Sequence, residues 1–255
     1  MLHLNGSFMI YIGIFCAVVI VVLLCHYNLW RPRKNPLWPR ILMYHNTSPD
    51  EPASGMNIKP EILKKQIKYL ISKHYTFLKI SQLPSFTPSK KHVVLTFDDG
   101  FASNYTHLFP ILKKYNVPAT IYLTSNIKGI PTLNNDQIKE MHDSGLIEFG
   151  AHTINHVNLT KVDNEIADEE IIKSKQAVES ITGVPCLSFA YPYGRYEYRH
   201  LKMVENAGFL TAVTTKKQIV AFKDSNPFAL PRLSVSGVID STQFYLLITR
   251  GRFKL

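Results

Sequence analysis

The sequence predicts an α/β fold, a (β/α)7-type barrel of mostly parallel strands preceded by an N-terminal membrane helix. Three observations predict it. Short apolar, strand-type runs alternate with helix-type stretches about seven times between Arg40 and Val235, and such repeated units imply parallel strands joined by right-handed crossovers. The polar residues with chemical potential (His45, Asp98, Asp99, His152, His156, Tyr193 and Arg232) fall just after those strands. In a β/α barrel the strand C-termini share one face, where active sites assemble. Finally, Phe8 to Cys25 is almost purely apolar, at about the 18 residues that just cross a bilayer as a helix.

That first segment has a rival reading as a secretory signal. Met1 to Ser7 carries no Lys or Arg and no convincing small-residue cleavage site follows, so residues 8–29 read as an uncleaved anchor after a short tail, 1–7. Residues 30–39, with Trp30, Trp38 and three prolines, read as a basic interfacial linker, and 40–255 as one domain. Orientation is in conflict. Arg31, Arg33, Lys34 and Arg40 favour a cytoplasmic domain by the positive-inside tendency, against an expected extracytoplasmic placement of the main domain.

Within the domain the elements follow in order. Arg40 to Tyr44 is a strand, and Pro60 to Lys73 a helix with Leu63, Ile67, Leu70 and Ile71 on one face. His92 to Phe97 is a buried-type strand, followed by a helix near Tyr105 to Tyr115, a strand at Ala119 to Thr124, and a helix at Asn135 to Ser144 closed by Gly145. Leu146 to Ala151 is a strand, Ile166 to Ile181 a helix stopped by Gly183 and Pro185, and Leu187 to Tyr191 a strand. Tyr196 to Ala207 is a helix, Leu210 to Thr215 a strand, and Ala229 to Val235 the last strand.

The formal net charge of +10 is compatible with nucleic acid, anionic lipid or an acidic substrate. No Arg/Lys stripe interleaved with aromatics accompanies it, so no nucleic-acid partner is expected. Two of the three cysteines, Cys16 and Cys25, lie in the apolar segment and Cys186 stands alone, which argues against both a disulfide framework and a cysteine zinc site.

Asp98 and Asp99 are consecutive at a strand end, where two carboxylates repel unless a cation or proton relieves them. In isolation, an Asp-Gly turn that caps a helix is the better explanation of the pair. His152 and His156 lie four apart, which on a helical turn puts both imidazoles on one side. With one carboxylate they make a two-His, one-carboxylate metal site with open positions. The joint occurrence of the two pairs, each after a strand, favours the metal reading.

Thr96-Phe97-Asp98-Asp99-Gly100, His152-Thr153-Ile154-Asn155-His156 and Phe189-Ala190-Tyr191-Pro192-Tyr193-Gly194 resemble the first three motifs of the polysaccharide deacetylases, the carbohydrate esterases of the nodulation-type chitooligosaccharide deacetylase class. The resemblance spans about Arg40 to Ser236. It implies a distorted barrel and a divalent metal, zinc first, with cobalt, nickel, iron or manganese as alternatives. Asp99, His152 and His156 would bind the metal, Asp98 would be the general base, and the backbone N–H of Tyr193 would help hold the oxyanion. Tyr191, Pro192 and Tyr193 would line the substrate. Two departures stand out: the third motif usually begins with Arg, here Ala190, and no His follows His200 to supply the late catalytic one.

His45, ending the first strand, is the candidate general acid, as in the branch acting on poly-β-1,6-N-acetylglucosamine. Arg232 is the candidate to orient Asp98 in place of the missing Arg, with a surface salt bridge as its alternative. The expected function is metal-dependent N-deacetylation of an amino-sugar exopolysaccharide. Peptidoglycan, chitooligosaccharide or a lipid-linked sugar are alternative substrates, and an inactive membrane-anchored glycan-binding module is an alternative of another class.

Overall fold

The computed structural model describes residues 6–26 and 29–252. The chain divides into two compact units, one running Asn35–Ile239 and the other combining the segment up to Lys34 with the chain from Asp240 onward.

In the second of these, helix α1 (Gly6–His26) is apolar on every side. Its stretch Phe8–His26 has a mean hydropathy of 3.1 and no buried residue, so it is long and apolar enough to cross a membrane, a property that signal sequences share.

The larger unit is a curled parallel sheet flanked by helices. In chain order its elements are β1 (Arg40–Tyr44), β2 (Asn46–Thr47), β3 (Asn57–Ile58), α2 (Pro60–Ser72), β4 (Tyr75–Leu78), β5 (Lys91–Phe97), α3 (Phe109–Tyr115), β6 (Ala119–Leu123) and α4 (Asn135–Asp143). Then follow β7 (Ile147–Ala151), α5 (Asn164–Thr182), β8 (Ser188–Ala190), α6 (Tyr198–Asn206), β9 (Thr211–Val213) and β10 (Leu233–Ser234). The strands run β10-β1-β5-β6-β7-β8-β9, with β4 also on β5. Every pairing in the main sheet is parallel, as the strand-then-helix alternation predicts.

One segment joins the two edges of the sheet. Leu230 bridges Val213 of β9 while Leu233 pairs with Leu42 of β1. The strand expected over 229–235 is interrupted between these contacts, where Pro231 has no N–H to give a ladder and the Arg232 side chain is buried. A second distortion lies between β5 and β6. β4, unforeseen in the sequence, pairs with Lys91–Val94, and β6 with Thr96 and Phe97, so the sheet forks along β5.

Burial follows the periodicity. All five residues of β1 are buried, the mark of a strand covered on both faces. Ile41, Val94, Tyr122, Ala190, Val213 and Leu230 pack together as an interior cluster with Ile80 and Leu83. Helix α2 buries Leu63, Ile67 and Leu70, but Ile71, expected on that face, is 42% exposed. The helix expected over 105–115 begins as a π turn at Asn104–Leu108 and becomes α-helical at Phe109.

A further helix not foreseen, α7 (Ser241–Arg250), belongs with the N-terminal segment. Asp240 and Gln243 form a capping box at its start, and Gly251 ends it at φ 83°. Its C-terminal residues grip the basic linker: Arg250 donates to the carbonyls of Leu29 and Arg31, and the Lys34 N–H donates to the Thr249 carbonyl at 2.8 Å.

Candidate active site

Strand register sets the site. β1 and β5 pair Tyr44 with Phe97, so His45 and Asp98 leave adjacent strand ends together, and the Asp98 N–H donates to the Tyr44 carbonyl at 3.0 Å. β6 and β7 pair Leu123 with Ala151, which brings His152 to the same rim, its N–H on the Leu123 carbonyl at 2.9 Å.

Asp99 takes a left-handed backbone conformation, φ 71°, and Gly100 follows at φ 68°. A side chain at Gly100 would also press on Leu123. That sharp turn separates the two carboxylates. Asp98 meets Arg232, which lies 134 positions away and is fully buried: Nη1 donates to Oδ1 and Nη2 to Oδ2, each at 2.7 Å. The same guanidinium donates to Thr96 Oγ1 at 3.0 Å and through Nε to the Thr214 carbonyl at 2.9 Å, so β5, β9 and β10 meet on one side chain. Burial alone would raise the Asp98 pKa, but the charge and hydrogen bonds of Arg232 outweigh it and hold the carboxyl at about 2.

Asp99 faces the other way. Its Oδ1 lies 3.5 Å from His152 Nε2 and 3.4 Å from His156 Nε2, and has no hydrogen-bond partner among the described residues. One ligand atom from each of the three side chains lies within 4.8 Å of the others. His152 Nδ1 donates to the Ala190 carbonyl at 2.7 Å, which leaves its Nε2 lone pair free to face Asp99. Burial lowers the pKa of His152 to about 4 and also lowers that of His156, so both rings are neutral donors at pH 7. Burial, reinforced by the charge of Asp98, raises Asp99 to about 7. A buried carboxylate oxygen without a partner, facing two neutral imidazole nitrogens, fits a divalent cation.

The two histidines do not lie on a helical turn as their spacing suggests. Residues 152–158 form an irregular loop in which Thr153 and His156 are left-handed, φ 61° and 52°. The His156 ring lies 4.9 Å from that of His152 and 4.7 Å from that of Tyr193. Glu170, on α5, accepts from the Ile154 and Asn155 N–H groups at 2.9 and 3.0 Å. Nothing in the sequence singled out Glu170.

His45 is half-buried. Burial lowers its pKa, the Asp98 charge pulls the other way, and Arg232 and His156 lower it further. Of the three residues expected to line the substrate, Tyr193 alone is open, 59% exposed with φ 60°. Tyr191 and Pro192 are buried beneath it, the Tyr191 hydroxyl donating to the Phe228 carbonyl at 3.1 Å. They shape the turn and offer a ligand no surface. Gly194, at φ 66°, allows that turn to approach Thr215 closely, since any side chain there would collide with it.

A sequence profile described as Polysaccharide deacetylase matches residues 86–212. The chain is 30% identical over 221 residues to YxkH of Bacillus subtilis (strain 168), a protein assigned to the polysaccharide deacetylases, covering 84% of this chain and 77% of that one. It is 26% identical over 227 residues to the poly-β-1,6-N-acetyl-D-glucosamine N-deacetylase of Staphylococcus aureus (strain MRSA252), covering 82% and 77%. Among solved structures, the Streptococcus pyogenes deacetylase PplD in complex with acetate is similar, with TM-score 0.72 and 27% identity over 81% of this chain and 96% of that one. With its motif residues gathered at one rim of a curled parallel sheet, the chain belongs to the polysaccharide deacetylase family.

Proposed function

We propose that the chain is a metal-dependent hydrolase that removes N-acetyl groups from an N-acetylglucosamine polymer, with a β-1,6-linked exopolysaccharide as the preferred substrate. The observation that carries this is the division of labour between adjacent carboxylates: Asp98 is locked to Arg232, and Asp99 is turned toward two imidazoles. Similarity to the staphylococcal enzyme over most of both chains supports the linkage.

Asp99, His152 and His156 would hold the cation, zinc first. When bound there it supplies Lewis acidity, polarising the acetyl carbonyl and acidifying a water. Asp98 would take the proton of the attacking water as its oxygen adds to the acetyl carbon. Arg232 keeps Asp98 ionised and aimed. The Tyr193 N–H would donate to the carbonyl oxygen as negative charge gathers on it. His45 gives a proton to the amide nitrogen as the C–N bond breaks, and the proton that Asp98 took makes good the one His45 gave, leaving acetate and a free amine. The exposed Tyr193 ring supports a role in seating the sugar. An inactive binding module is suggested by Ala190 and by the missing late His; the Arg232 contact with Asp98 answers the first, and His45 at the neighbouring strand end is the proposed answer to the second.

The helix Phe8–His26 would serve as an uncleaved anchor for an extracytoplasmic catalytic unit. Purified protein loaded with zinc, cobalt or nickel should release acetate from β-1,6-linked N-acetylglucosamine oligomers faster than from β-1,4-linked ones. A β-1,4 preference would move the substrate to peptidoglycan or chitooligosaccharide.

A further inference from the structure

The loop carrying both histidines adopts a conformation that its own sequence disfavours. Thr153 is β-branched and left-handed, at φ 61°, and His156 is left-handed at φ 52°. Such positions are strained and persist where the surroundings over-determine them. Here the surroundings act from two sides. From α5, Glu170 Oε2 accepts from the Ile154 and Asn155 N–H groups at 2.9 and 3.0 Å, and Oε1 accepts from Asn155 Nδ2 at 2.5 Å. From the loop after β6, the Asn126 N–H donates to the Ile154 carbonyl at 2.8 Å and Asn126 Nδ2 to Asn155 Oδ1 at 3.2 Å.

Glu170 is 7% exposed. A carboxylate so buried needs donors that replace water, and here the three donors are the Ile154 N–H, the Asn155 N–H and Asn155 Nδ2, from two of the three residues between the histidines. We infer that Glu170 is a positioning residue for the metal site: it fixes the backbone at Ile154 and Asn155 and thereby the approach of His152 and His156 to Asp99. The inference rests on the metal reading above.

The donor pattern supplies the test. In Glu170→Gln the amide N–H₂ faces Asn155 Nδ2, donor against donor. In Glu170→Gln with Asn155→Asp the donor and acceptor change places across the same contact and the net charge is unchanged. Zinc affinity is measured on the full chain in detergent by competition with a chelating dye. Glu170→Gln should bind zinc about 10–100-fold more weakly, the usual cost of losing an outer partner of a ligand, and the double variant should recover to within about threefold of wild type. Asn155→Asp alone, which sets two carboxylates against each other, should be at least as weak as Glu170→Gln. In the metal-free protein, amide exchange at Ile154 and Asn155 should quicken in Glu170→Gln and slow again in the double variant.

Zinc affinity of Glu170→Gln equal to wild type, or a double variant no tighter than the single one, overturns the inference. A wild-type chain that binds no zinc overturns the metal reading instead, and the metal-free exchange then decides whether Glu170 holds the loop.

Discussion

Arg232 and Asp98 meet through two parallel hydrogen bonds of 2.7 Å, both side chains buried, although 134 positions separate them in the chain. The pair is a structural tie and an electrostatic device. Removing one member of a buried ion pair leaves the other uncompensated, so Arg232→Met should cost about 3–5 kcal/mol of stability by denaturant unfolding. The pH dependence should move with it. With Arg232 present Asp98 is ionised down to about 2. Without it burial dominates, its pKa climbs, and the acidic limb of kcat/KM shifts to higher pH. A variant that loses stability with an unmoved acidic limb contradicts the role given to Arg232.

Asp98→Asn keeps the shape and one of the two acceptors for Arg232, but cannot take up a proton. Turnover should fall by about 10²–10⁴-fold, the usual range for general base catalysis. Zinc content, measured by mass spectrometry of the purified variant, should match wild type. Loss of zinc would place Asp98 among the ligands.

His45 leaves its strand beside Asp98, which supports the proposal that it protonates the departing amine. His45→Gln should lower kcat by about 10²–10⁴-fold with KM little changed, since a proton donor acts on the transition state. A rate within about twofold of wild type would remove His45 from proton transfer.

Cation binding should be proton-linked through Asp99. Burial, with the Asp98 charge, raises that carboxyl to about 7, so below pH 7 it carries a proton that the cation must displace. His152 is held neutral down to about 4, so it competes far less over the same range. Between roughly pH 7 and 5 the apparent zinc dissociation constant should therefore rise by about tenfold for each unit of falling pH, through the release of Asp99's proton. Titration calorimetry in two buffers of different ionisation heat measures that release directly. A flat affinity over this range would mean Asp99 stays ionised without the cation.

Much of this was legible in the sequence, for identifiable reasons. Asp98, Asp99, His152 and His156 are legible because the pairs are local and follow strands whose apolar runs are long enough to recognise. Arg232 and its partner Asp98 are legible through the Arg missing at Ala190, but the burial of the pair is not, because only the joining of β9 to β1 through Leu230–Ser234 brings the two side chains together inside the sheet. Glu170 reads as one more acid on a polar helix, since its donors are mostly backbone N–H groups, which no residue pattern reveals. The i,i+4 histidines suggest a helical turn, and the left-handed Thr153 and His156 are held by long-range contacts instead. β4 escapes notice because Tyr75–Leu78 is only partly buried and lacks a clean alternation. Tyr191 and Pro192 sit in the motif beside Tyr193, yet sequence adjacency says nothing about which of the three faces solvent.

Removal of acetyl groups should require a cation held by Asp99, His152 and His156. Acetate release from a β-1,6-linked N-acetylglucosamine oligomer, followed before and after chelator treatment and again after one equivalent of zinc, tests it most directly. Release should vanish on chelation, return with zinc, and stay absent when His152 is Ala. Undiminished release from the chelated protein, or none with zinc, cobalt or nickel, would contradict it.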